Sequence, residues 1–296
     1  MTINIPRHDV SHPMYAVNAE HFPEERARQA ARLEKTAKSA SSALDSVYMD
    51  ALFSLAVDPR AAQLETWRSW TTSMQIAHAL FAVSTAPEGT EVECLIDQKT
   101  RHLTATGPRY VANAGNWLRA FFLAITCRDE RRWQELCHIP VELLREAGES
   151  KGTRRNPYIY HWISALQAYI LNRPDFPEEL SKAMELSDPQ RAEIGSPEML
   201  DKLTFPPMNA LLKFAQGDSD AFNESLAKGV RLFRDYHTAN EERAKKIEGA
   251  VPLSLLALAC MGYDRGAHEA GFQLEVESDY LPKHIVERSW YGEFDI

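Results

Sequence analysis

The chain has 296 residues, 44% of them hydrophobic and 25% charged, enough apolar material for a sizeable core without a metal or disulfide staple. Its 42 acidic against 33 basic residues leave a formal charge of −9, which repels phosphate backbones and argues against general nucleic-acid binding. Four widely spaced cysteines (Cys94, Cys127, Cys137, Cys260) form no CxxC pair, which speaks against a disulfide framework and predicts reduced, buried thiols.

Residues 1–22 show no apolar run after a basic start, so no secretory signal is expected and the protein is expected in the cytoplasm. They read as a flexible N-terminal segment ahead of one continuous helical domain over 23–296. Phe22-Pro23-Glu24-Glu25 predicts a helix start with acidic residues in its first turn. Asp58-Pro59 predicts another, opening a helix to about Ala86 with Leu64, Trp67, Trp70, Met74, Ala77 and Phe81 on one apolar face. Residues 90–106 break the pattern. Val92, Cys94 and Ile96 alternate with polar residues, and a turn over Asp97–Thr100 predicts a short β-hairpin closed by Gly107-Pro108.

A loose repeat follows. Predicted helices at 110–127, 157–172 and 206–216 each end in a turn carrying an aspartate, Asp129, Asp175 and Asp218, then an aromatic, Trp133, Phe176 and Phe222. The aspartates lie 46 and 43 residues apart, a spacing suited to stacked α-hairpins of tetratricopeptide type. Ser196-Pro197-Glu198 is a further capped start. A last apolar helix is predicted near Ala250–Gly262, its greasiest run, Val251–Met261, being short of the ~20 apolar residues that span a bilayer. Residues 264–296 then hold eight acidic and three basic residues interleaved with Phe272, Leu274, Val276, Tyr280, Trp290 and Tyr291. That mixture fits a tail docked on its own body with carboxylates facing outward, or a partner site. The expected fold is mainly α: a single domain of stacked α-hairpins with one β-hairpin.

The search for catalysis is negative. HExxH, GxxxxGK[ST], GxGxxG and GxSxG are absent, and Cys127 with Cys137-His138 lacks zinc-type spacing. His161 between Tyr160 and Trp162 reads as a packed or lightly bonded helix residue. Glu146 and Glu149 read as solvated charges at a helix end. Arg145, Lys151, Arg154 and Arg155 before Tyr158, Tyr160, His161 and Trp162 could grip a single strand by charge and stacking. The helical spacing of Tyr158, Trp162, Leu166 and Tyr169 favours inward packing instead. No enzyme activity, cofactor, metal, nucleic acid or membrane is expected, and the oligomeric state stays open.

The segment Gln273–Phe294, QLEVESDYLPKHIVERSWYGEF, resembles the closing segment of the Immunity 49 family, bacterial proteins held to neutralise polymorphic toxins. Val57–Trp67, Ala79–Thr90, Ala105–Ala124, Tyr158–Trp162, Phe205–Phe214 and Ala221–Ala227 are similar to the family as well. The chain departs from the pattern before Val57 and around Arg265–Ala270. The resemblance implies a cognate toxin as partner and no catalytic residues. Glu275, Glu277, Asp279 and Tyr280 in the tail are the expected toxin contacts, with Glu88, Glu91 and Glu93 around the hairpin as a second set. A helical-hairpin scaffold that binds peptides is the alternative.

Overall fold

The computed structural model describes residues 2–10, 12–191 and 194–296. Helices dominate them, and the chain divides into two compact units, each with its own core. The N-terminal unit comprises Ser11–Arg154 and Arg288–Ile296; the C-terminal unit comprises Met1–Val10 and Arg155–Glu287. The chain opens with strand β1 (Ile3–Asn4), part of the C-terminal unit.

In the N-terminal unit, α1 (Pro13–Ala19) leads into α2 (Phe22–Lys35), which starts as expected, with proline in its first turn beside Glu24 and Glu25. Next come α3 (Ala40–Val57) and α4 (Leu64–Thr85), packed as a helical pair. The start expected at Asp58-Pro59 falls later, and the reason is local. Asp58 closes α3, Ala61 turns the chain at φ 54°, and the Asp58 carboxylate reaches forward. It accepts the N–H groups of Ala62 (3.0 Å) and Gln63 (2.9 Å) and the Thr66 hydroxyl (2.8 Å) at the head of α4. One buried carboxylate thus satisfies three donors, so Asp58→Ala is expected to cost about 2 kcal/mol. Urea denaturation checks this, and an unchanged midpoint would mean that the cap contributes nothing.

Helix α4 has no polar face left in solvent. Trp67, Trp70, Met74, Ala77 and Phe81 are buried as expected, but so are Thr66, Ser69, Thr72, Ser73 and Ser84. Their hydroxyls are affordable in a core because several bond backwards along the chain: Ser73 to the Ser69 carbonyl (2.9 Å), Ser84 to that of Leu80 (2.7 Å). Strands β2 (Glu91–Ile96) and β3 (Lys99–Thr104) form the expected hairpin. Helices α5 (Ala114–Cys127), α6 (Glu130–Cys137) and α7 (Val141–Glu149) complete the unit. Trp70 donates to the Thr126 hydroxyl (2.9 Å) and Trp117 to the Leu136 carbonyl (2.9 Å), so both buried indoles are satisfied. The last residues return to this unit: the Trp290 indole donates to the Ala61 carbonyl (2.7 Å), and the Arg68 guanidinium lies over the Phe294 ring.

The C-terminal unit begins with the helical pair α8 (Tyr158–Ile170) and α9 (Phe176–Leu186). Ser196 caps α10 (Pro197–Met199) by accepting the Met199 N–H (3.2 Å), and a π-type turn over Leu200–Thr204 leads into α11 (Phe205–Gln216). The widened turn sits where Pro206 and Pro207 supply no N–H to the helical ladder. Helix α12 (Ser219–His237) pairs with α11, and α13 (Glu241–Ala244), α14 (Leu253–Gly266), β4 (Val276–Glu277) and α15 (Lys283–Val286) follow. Asp129, Asp175 and Asp218 all stand at N-cap positions, opening α6, α9 and α12; Asp129 and Asp218 also cap through their side chains. The 20 residues Ile247–Gly266 are long and apolar enough to cross a bilayer by length and composition, a longer span than the sequence reading allowed. In this unit they are a short 3-10 turn, broken at Pro252, and a core helix in which Leu255–Cys260 are all buried.

The described residues of the segment 1–22, expected to be flexible, fall into both units. β1 pairs in parallel with β4, Ile3 opposite Val276 and Asn4 opposite Glu277, while α1 and the start of α2 belong to the N-terminal unit. Ile5 and Val10 are buried, which anchors the first residues to the tail.

Candidate functional site

The hairpin sorts its side chains cleanly. Cys94 opposite Arg101 and Val92 opposite Leu103 turn inward; Glu91 opposite Thr104 and Glu93 opposite His102 turn outward. Asp97 and Gln98 both adopt positive φ (52° and 59°), as a tight two-residue hairpin turn requires, so the turn is shorter than the Asp97–Thr100 span expected. The Asp97 N–H donates to the Gln75 side chain on α4 (2.8 Å), and Arg101 bridges the Ile96 carbonyl (3.1 Å) and Glu34 on α2 (3.1 Å). The platform is therefore held at its turn and along one face. On its other face Glu91 and Glu93 stand exposed, with His102 Nδ1 3.1 Å and 3.9 Å from their respective carboxylates. Glu88, also exposed, lies just before the first strand, its Cβ near Gly107.

The tail carboxylates sit on or beside a docked two-residue strand, Glu277 on β4 and Glu275 and Asp279 flanking it. Ile3 N–H donates to the Glu275 carbonyl (2.7 Å), Ile5 N–H to that of Glu277 (3.0 Å), and the Glu275 N–H to the Asn223 side chain (2.7 Å). Val276, Tyr280 and Leu281 are buried; Glu277 and Asp279 are exposed, and Glu275 is half-buried. Tyr280, expected among the contacts, has an enclosed side chain. Its hydroxyl accepts the His8 N–H (3.2 Å) and bonds the His8 ring, and its ring meets Phe233 edge-on at 5.6 Å. Alternation along the strand splits the two roles: the apolar residues hold the fold while Glu277 and Asp279 face solvent.

Beneath the tail, His8 and His237 both approach Gly249: a methyl group there would stand 3.1 Å from His8 and 3.0 Å from His237. Burial pushes His237 down to about 4, helped by His8, Arg243 and Lys246, and burial also lowers His8. Both rings are neutral at pH 7. As pH falls from 6.5 toward 4 the unfolded chain takes up protons that the folded ring refuses, so stability is full above about 6.5 and drops through that window. Asp50, raised by burial to about 6, acts with the opposite sign, gaining a proton in the folded state first. A His237→Gln variant separates the two: the loss of unfolding free energy from pH 7 to pH 4.5, measured by urea denaturation, should be smaller in it, by up to about 2 kcal/mol. An identical fall in both proteins would contradict the assignment.

Several groups of the kind that carry catalysis are otherwise engaged. All four cysteines are buried and none forms a disulfide; burial raises Cys94 to about 11 and Cys127 further, so neither is a thiolate at neutral pH. His161 pairs with Glu179 (2.8 Å) and His78 with Glu135 (2.7 Å), the latter contact holding Glu135 down to about 2. Among the described residues no group of three or more His, Cys, Asp or Glu could hold a metal ion. Trp162 and Leu166 point inward and Lys151 lies over the Tyr110 ring, so the basic stretch and the aromatics after it do not form a stacking platform.

These features define a mainly helical protein whose chemistry at the surface is displayed charge. A family model described as Immunity protein 49 matches residues 58–285, more than three quarters of the chain. The chain belongs to the Immunity protein 49 family. No curated protein and no solved structure matches it.

Proposed function

We propose that this chain is an antidote: it binds a cognate bacterial toxin in the cytoplasm and occludes the toxin's active or substrate-binding site, without catalysis or a cofactor. Membership of the Immunity protein 49 family is the observation that carries this reading. The contact residues proposed are Glu88, Glu91 and Glu93, which stand on a platform fixed by the Gln75 and Glu34 bonds. Glu275, Glu277 and Asp279 are the second set; buried Tyr280 would support them from beneath.

Exposed carboxylates act chiefly on encounter rates. If the toxin is a nuclease with a basic groove, steering can raise association toward ~10⁸ M⁻¹s⁻¹ at low salt. Stopped-flow association with the toxin domain encoded beside this gene tests the site. The variant Glu88→Lys/Glu91→Lys/Glu93→Lys should associate at least ~10-fold more slowly and lose most of its salt dependence. Unchanged rates in that variant and in a Glu277→Lys/Asp279→Lys variant would place the interface elsewhere.

A second reading, a scaffold that holds peptides between helical hairpins, is favoured by the aspartates that open the second helix of three hairpins. Capture of several unrelated short peptides, with no toxin gene adjacent, would favour it.

A further inference from the structure

Many arginines of this acidic protein pair with carboxylates: Arg26 with Glu65, Arg101 with Glu34, Arg119 with Asp45 and Arg131 with Glu135. Arg32, Lys38 and Arg109 do not. Among the described residues none of the three has a carboxylate at ion-pairing distance, yet all three line one open cleft of about 470 Å³ in the N-terminal unit. The single acidic group on its wall, Asp45, is already held by Arg119 (2.7 Å).

Three like charges around one cleft repel one another, and the one acidic group on its wall, Asp45, is shared with Arg119. The Ser39 and Ser42 hydroxyls on the wall already donate to the Thr36 and Ser39 carbonyls (2.8 and 3.1 Å), which leaves two others as donors. Thr36 and Ser41 bring hydroxyls, and the cleft borders the start of the 18-residue helix α3, whose first turn holds no acidic residue. Tyr110, 43% exposed, stands at the same wall with Lys151 against its ring, 3.4 Å from the ring centre. A carboxylate brings one negative charge to such a wall; a phosphate monoester brings nearly two, with three strong acceptor oxygens. The volume also falls within the range of small-molecule sites.

We propose that this cleft binds a phosphate dianion, with Arg32, Lys38 and Arg109 as its cationic partners and the Thr36 and Ser41 hydroxyls as further donors. The dianion can come as free phosphate or as the phosphate of a nucleotide, whose base would then stack on Tyr110. This site is separate from the hairpin acids and does not depend on toxin binding.

Calorimetric titration of the full chain at constant ionic strength tests it, with inorganic phosphate, adenosine monophosphate and acetate as probes. Saturable binding of a phosphate compound is expected, at least ~10-fold tighter than acetate. Lys38→Gln and Arg109→Gln should each weaken it at least ~10-fold, while Arg131→Gln, outside the cleft, should leave it unchanged. Adenosine monophosphate binding ~10-fold tighter than phosphate identifies a nucleotide, and equal affinities identify the free ion. The proposal is overturned if neither phosphate compound saturates the protein, if acetate binds as tightly, or if Arg131→Gln weakens binding as much as the cleft variants do.

Discussion

Replacing Arg132 with methionine is expected to destabilise the N-terminal unit by about 3–5 kcal/mol, the cost of breaking a buried ion pair by removing one partner. Arg132 is 2% exposed. Its guanidinium pairs with Asp129 and reaches the Leu95 carbonyl (3.4 Å) on the hairpin, while Asp129 also accepts the Arg132 N–H (3.0 Å) as the cap of α6. Methionine matches the aliphatic stem but leaves the Asp129 carboxylate in a poorly solvated place with one donor fewer. Asp129→Asn in the same chain removes that stranded charge, so the double variant should recover much of the loss. Urea midpoints of the wild type, both single variants and the double variant measure this. Strictly additive losses would mean that the pair is not coupled and that the Leu95 contact carries the effect.

The second large effect is expected in the C-terminal unit, where Phe222 meets Phe214 (5.5 Å) and Phe272 (5.4 Å) and is wholly buried. Phe222→Ala should cost about 3–5 kcal/mol, lost burial plus a cavity. Gly262 on α14 sharpens the test. A methyl group there would lie 2.7 Å from the Phe222 ring, so Gly262→Ala alone overpacks the contact and is expected to cost about 1–3 kcal/mol. In the Phe222→Ala background the same methyl enters the space that the ring has left, so its cost should vanish or reverse. Thermal melts of the four proteins give the coupling directly. A Gly262→Ala penalty of equal size in both backgrounds would mean that helix propensity or another neighbour sets it.

Features with local causes were legible in the sequence. The acidic, proline-marked start at Phe22, the cap at Ser196 and the turn at Asp218 need only a few neighbouring residues, and the period-two alternation of Val92, Cys94 and Ile96 marks its own hairpin. Features with distant causes were not. Asp58-Pro59 reads as a capping carboxylate before a proline at the first helical position, but the helix begins only at Leu64, across a turn at Ala61 that no local pattern announces, and the carboxylate bonds the residues just ahead of it. Helix α4 looked amphipathic because serine and threonine count as polar, although their hydroxyls can bond to their own helix and be buried.

The candidate site divides the same way. The exposure of Glu91 and Glu93 follows from alternation on β2, and that of Glu277 from alternation on β4. The burial of Tyr280 follows from His8 and Phe233, residues far away along the chain, and no spacing within the tail reveals it. The cleft was hidden for the same reason: residues 32–45 and 109–111 meet only through the packing of the N-terminal unit. Its basic character disappears in a chain whose overall charge is −9.

We propose that this protein neutralises a toxin by binding it. Expression in a sensitive bacterial host of the toxin domain encoded next to this gene, with and without the present chain, measures that directly. Survival restored by the wild type, with the two proteins recovered as one complex from the surviving cells, is the predicted result. Equal killing in the presence and absence of this chain, at matched expression, would contradict it.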